Sequence, residues 1–323
     1  MPRDRDPVEE RHGPGEDLYD VASWDPRSRL DRIAVAVYGG LRANVGRLLV
    51  AVAFVLLVVQ FALGGFVLIK RPSLDVLTAL SIVPAFVLAA IIWYLDPTDR
   101  EPLAPLAATF LLGVVFASFA AVLNTVLMQG FRLIPVVGMF LLFFLVVGPL
   151  EETVKWLAVR VHAYRTAAFD AVVDGMVYGA VAGLGFATIE NSIYITHQFL
   201  AVAHAGAQAS SVAQVRAAVA TAAQRSFAGP GHVLYSAISG YYLGLAKFNP
   251  ESYGPIVVKG LLVAAVVHAT YDTLVTYVGF TGPTFLAFLV VYDGAVVYYI
   301  YRKLAHYRRA YRVAPDEREP AEG

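Results

Sequence analysis

Apolar positions along this chain fall in long unbroken blocks separated by short polar turns. The blocks run roughly 45–69, 74–95, 103–128, 132–149, 171–195, 227–246, 255–279 and 283–301. About 20 residues at 1.5 Å per residue cross a ~30 Å hydrocarbon core. Inside lipid, open segments of this length keep every backbone N–H and C=O satisfied only as helices. The pattern therefore predicts an all-α, polytopic transmembrane bundle of about eight spans.

The breaks carry turn chemistry: Lys70-Arg71-Pro72, the polar run Asp96 to Pro102, Asn249-Pro250-Glu251 and Gly282-Pro283. Residues 1–27, rich in Arg, Asp, Glu, Pro and Gly, read as a disordered polar leader, and 313–323 as a disordered tail. The region 28–312 is the integral membrane domain. Residues 197–225, rich in Ala, Gln and Ser, are too polar for a span and read as a partly helical surface segment. No internal repeat is visible, and no signal peptide is expected: no small-residue cleavage site follows the first apolar block.

Gly148-Pro149 is the natural break in the block that leads into 150–165, because proline costs a hydrogen bond in a helix interior but suits a first turn. If 132–148 re-enters, eight spans follow with the N-terminus inside; if it crosses, nine follow with it outside. The basic tail from Arg302 to Arg312 and the turn with Arg160, His162 and Arg165 mark the cytoplasmic side.

Composition agrees with a membrane chain: 58% of residues are hydrophobic, 15% are charged and mean hydropathy is +0.61. A soluble enzyme is excluded. The 25 basic and 25 acidic residues cancel, so nothing points to nucleic acid. Without cysteine there are no disulfides, thiolate sites or cysteine nucleophile.

Charges at membrane depth are costly and tend to be functional. This chain has Glu151-Glu152-Thr153-Val154-Lys155, Asp174, Glu190-Asn191, His232 and His268-Ala269-Thr270-Tyr271-Asp272. Counting 1.5 Å per residue from the 160–168 turn puts Glu152, Glu190, His232, His268 and Asp272 in the outer half of the membrane. Glu151 and Lys155, at i,i+4, suit an ion pair, which leaves Glu152 to face the site. His268 and Asp272 share one helix face. Asp170 reads as a helix cap, the small residues of 175–187 as close helix packing.

There is no Gly-x-Ser-x-Gly elbow and no His-Glu-x-x-His helix. What remains is a hydrolase that activates water with carboxylates, one that does so with a metal on Glu/His ligands, or a proton or cation path. An inactive helix-binding scaffold would leave the buried carboxylates unexplained.

Glu151-Glu152-x-x-Lys155, Asp174-Gly175-x-x-Tyr178-Gly179, Gly185-Phe186-Ala187-x-x-Glu190-Asn191, Gly231-His232 and His268-x-x-x-Asp272, in this order across about 148–275, resemble the PrsW family of intramembrane proteases. That family is distantly similar to the CAAX-prenyl endopeptidase and bacteriocin-immunity group. The wider group has His where this chain has Glu190 and Asn where it has Asp272.

The resemblance implies cleavage of a membrane-anchored, single-pass protein, such as an anti-sigma factor, on its extracytoplasmic side. Glu151, Glu152, Glu190, His232, His268 and Asp272 are then the catalytic candidates, with Lys155, Asp174 and Asn191 in support. In the metal-free version Glu152 and Glu190 polarise water, and His268, held by Asp272, stabilises the oxyanion or protonates the leaving amine. In the metal version Glu152, Glu190, His232 and His268 ligate zinc.

Overall fold

The computed structural model describes residues 6–11, 16–40, 72–204 and 211–313. The described residues are helical throughout, apart from short turns and one isolated bridge between Tyr19 and Ser23. In chain order the helices that build the bundle are α1 (Pro72–Ser81), α2 (Val83–Tyr94), α3 (Leu103–Phe131), α4 (Gly148–Val161), α5 (Val172–His204), α6 (Ser211–Phe248), α7 (Tyr253–Val278) and α8 (Gly282–Val313). Pro84, one residue into α2, marks the step between α1 and α2.

Among the described residues five helices are long and apolar enough to cross a membrane, at Leu74–Tyr94, Leu103–Phe131, Val172–Val202, Pro250–Val278 and Gly282–Arg312. The block 45–69 lies outside the described residues. The helices over 138–161 and 211–248 miss that standard because polar and small residues interrupt them. Those polar residues are turned inward, where Glu151, Glu152, Lys155 and His232 are buried. The outward faces carry large apolar side chains such as Phe86, Leu111, Val290 and Val291, as a lipid-facing surface requires.

Gly148-Pro149 does not break the chain into two helices. A turn at Gly138–Leu142 passes through a wider π turn at Phe143–Val147 straight into α4. Pro149 has no N–H to give to the preceding turn, and a π turn spaces the backbone to tolerate that loss. Gly148 itself lies against α7, where a Cβ would meet the Ala265 carbonyl oxygen at 2.6 Å.

The expected partly helical surface segment is where two long helices meet, and most of its described residues are exposed. α5 continues to His204 and α6 begins at Ser211, and Ile195, Phe199, Ala218 and Ala222 pack together with Leu74. The leader also differs from expectation over its described part. Asp6, Val8, Val21, Ala22 and Trp24 are buried against the bundle. Asp6 accepts from the backbone N–H of Val172 at 3.0 Å and from the Tyr307 hydroxyl. Asp20 pairs with Lys259 and Lys303. Asp6 and Asp20 thus meet groups on the bundle helices, while Asp17, Asp25 and Arg27 stay exposed and pair with one another.

Candidate active site

Two close helix contacts decide where the site forms. α5 and α6 meet along Gly175, Gly179 and Gly183 on one side and Ser236 and Gly240 on the other, so close that a Cβ at Gly183 would collide with the His232 carbonyl. That approach brings His232 of α6 towards Glu190 of α5. α4 and α7 are held together by Gly148, which sets Glu151 and Glu152 opposite His268.

Lys155 and its neighbours then sort the two adjacent acids. Glu152 Oε1 accepts from Lys155 Nζ at 2.8 Å and from His268 Nδ1 at 2.9 Å. Glu151 Oε1 accepts from Asn124 Nδ2 of α3 at 2.8 Å. Its Oε2 has no hydrogen-bond partner although buried, and lies 3.7 Å from both Lys155 Nζ and His268 Nε2. The division of labour expected from i,i+4 spacing is thus reversed: Glu152 takes the lysine, and each acid keeps one buried oxygen without a hydrogen-bond partner, Glu151 Oε2 and Glu152 Oε2. His268 supplies the reason, since its N–H adds a second donor to Glu152 alone.

The histidines complete the cluster. With its Nδ1–H given to Glu152, His268 turns Nε2 towards Glu151 and Asp272, whose Oδ2 is 3.6 Å away. His232 Nδ1 lies 3.0 Å from Lys155 Nζ, and Nε2 contacts Glu190 Oε2. The two imidazoles stand edge to face with centroids 5.2 Å apart. One ligand atom from each of Glu151, His232 and His268 lies within 4.8 Å of the others. This trio differs from the ligand set expected from sequence, which had Glu152 and Glu190 in place of Glu151. The donors nevertheless fit a transition metal: mixed imidazole and carboxylate, with the buried Glu151 Oε2 lacking a hydrogen bond.

Of the remaining candidates, Lys155, Glu190, Asn191 and Asp272 are at the site and Asp174 is not. Asp174 lies 16 residues before Glu190 on α5, about 24 Å along the helix. There it accepts from the backbone N–H groups of Asp170 and Ala171, so the capping expected of Asp170 falls to Asp174. Sequence reasoning missed Arg225. Its Nη2 donates to Glu190 Oε2 and its Nε to Asn191 Oδ1, both at 2.8 Å. Asn191 also donates to Ser81 Oγ at 2.9 Å. Arg225 precedes His232 by seven residues, two helical turns on one face, and that spacing was the available signal. Asn124 carried none.

Comparisons with known proteins concern this same region. The profile of the PrsW family intramembrane metalloprotease matches residues 101–300. Protease PrsW of Bacillus subtilis (strain 168) is 32% identical over 200 residues, covering 60% of this chain and 80% of that protein. Protease PrsW of Halalkalibacterium halodurans is 28% identical over 201 residues, 62% of this chain and 83% of that protein. Protease PrsW of Geobacillus kaustophilus is 30% identical over 199 residues, 61% and 79% respectively. No solved structure matches significantly.

Proposed function

The chain belongs to the PrsW family of intramembrane metalloproteases and is a membrane-embedded peptide hydrolase, and we propose that Glu151, His232 and His268 hold its metal while Glu190 and Arg225 act on the peptide. The observation that carries this is the convergence of those three donors, from α4, α6 and α7, in a buried cluster. Zinc suits the donor set, since imidazole and carboxylate are its usual ligands while calcium and magnesium prefer all-oxygen sites. When bound, the metal supplies Lewis-acid polarisation of a carbonyl and a lower pKa for water.

The protein's own groups do the rest. Glu152, fixed by Lys155, accepts the Nδ1–H of His268 and so keeps its Nε2 lone pair directed at the site. Glu190 is 18% exposed and Asp272 23%, which places both on the side a peptide can enter. Glu190 takes the proton from the attacking water, and Arg225 and His232 hold it in place for that transfer. Arg225, anchored by Asn191, offers a fixed positive charge to the oxyanion of the tetrahedral intermediate. Metal-free activation by Glu152 is the weaker version, because the family is one of metalloproteases. The substrate is a single-pass membrane protein such as an anti-sigma factor. It is cut in the outer half of the bilayer, with the protease's basic C-terminal tail in the cytoplasm.

Metal analysis of the purified full chain tests the assignment. Glu151→Gln and His268→Ala should lose the bound ion. Glu190→Gln should keep the ion and lose cleavage, scored as accumulated single-pass proteins in the membrane proteome. A Glu151→Gln protein that retains both metal and cleavage would refute the ligand set.

A further inference from the structure

A second cluster lies at the far end of α5. Asp96 and Glu101 belong to the connection between α2 and α3, and Asp174 opens α5. One carboxylate oxygen from each lies within 4.8 Å of the others. Like charges so close in a buried place repel strongly, and no basic group is prominent among their neighbours. The nearest basic residue in sequence, Arg100, stacks its guanidinium over Trp93 and Tyr94 instead.

The oxygens of this cluster are left open. Glu101 is 2% exposed and neither of its carboxylate oxygens has a donor; Asp96 Oδ2 has none either. Asp96 Oδ1 accepts from the Thr98 hydroxyl at 2.6 Å, and that hydroxyl is 3.4 Å from Asp174 Oδ1. Apart from the acids, Tyr178 sits one turn beyond Asp174 on the same helix face. It is fully buried, and its hydroxyl lies within the electrostatic reach of Glu101 and Asp174 and beside the Thr166 side chain. Buried polar atoms are almost always paired, so three carboxylate oxygens without a donor around one point indicate a missing ligand.

We propose that Asp96, Glu101 and Asp174, with Tyr178 at their edge, form a second cation site that takes a hard divalent ion of the calcium or magnesium class. Every donor is oxygen, which selects such ions over zinc. Oxygens about 2.3–2.6 Å from a calcium ion can stand roughly 5 Å apart across it, and this cluster has that spread. Asp170, exposed at the mouth, adds a fourth negative charge on the approach. The ion fastens the α2–α3 connection to the start of α5, replacing mutual repulsion by shared attraction.

Calorimetric titration of the full Glu151→Gln chain in detergent with calcium chloride, and separately with magnesium chloride, tests this. That background removes a ligand of the hydrolytic site. The expected result is saturable binding of one ion per chain, with a raised thermal midpoint. Adding Glu101→Gln should weaken binding by at least about tenfold, as loss of a ligand charge does. Asp96→Asn gives an independent loss should the first variant fold poorly, and zinc retained by Glu101→Gln alone shows that its fold survives. The proposal is overturned if neither salt binds, or if binding persists in both variants. A thermal midpoint raised by Glu101→Gln, with no ion bound to the parent, identifies a proton-sharing carboxyl pair instead and likewise overturns it.

Discussion

Lys155 binds the two adjacent glutamates unequally. It is a fully buried cation whose nearest anion is Glu152, at 2.8 Å, with Glu151 at 3.7 Å. Removing one partner of a buried pair strands the other charge and costs about 3–5 kcal/mol. Lys155→Met should therefore lower the thermal midpoint markedly and release His268 from its fixed orientation, whereas Glu152→Gln keeps a neutral acceptor. Glu152→Gln should still ligate the metal, with affinity lower by about 10–100-fold, the usual effect of losing an outer partner of a ligating histidine. Equilibrium zinc competition distinguishes it from Glu151→Gln, which should not bind. The residue types and their meeting were legible in the sequence. Which glutamate points inward was not, since Asn124 and His268, from helices distant in sequence, make that choice.

Between elements, glycine replaces interdigitated side chains. The α5–α6 contact brings backbone to backbone, and a Cβ on Gly179 would overlap the Ser236 carbonyl. No rotamer change relieves such a clash, so Gly179→Ala should destabilise by roughly 1–3 kcal/mol, in the range of overpacked cores. It should also shift His232, one helical turn from Ser236, and lower cleavage even where the protein still folds. Gly130, near the end of α3, is the opposite case: a Cβ there would meet nothing within 4 Å. Gly130→Ala should raise the midpoint instead, by up to about 1 kcal/mol of helix propensity. Thermal unfolding in detergent of both variants checks the contrast. The small-residue stretch over 175–187 announced close packing, and the structure has it. The long extensions of α5 and α6 were hidden because Ala, Gln and Ser form good helix while lacking the apolarity of a span; Arg225 was hidden with them.

Across the whole molecule the two ends of the bundle manage charge in opposite ways. At the active-site end acids meet imidazoles, a lysine and an arginine. At the other end the carboxylates of Asp96, Glu101 and Asp174 face each other, while Asp6 is enclosed by the start of α5 and the end of α8. Burial raises Asp6 to about 6 and Glu101 to about 9. For an acid whose folded pKa is raised, the folded state holds more protons than the unfolded state between the two values, so stability falls as pH rises. In protein stripped of divalent ions, Asp6 makes this contribution from about pH 4 to its folded value, and Glu101 from about 4.5 upwards to its own. The thermal midpoint of the chelated chain should accordingly decline from about pH 5 to pH 9, and Glu101→Gln should flatten most of that decline. Adding a hard divalent ion should reverse the slope in the parent, because the ion competes with the proton for the same oxygens. A parent chain whose midpoint rises with pH after chelation would contradict the burial of a protonated Glu101.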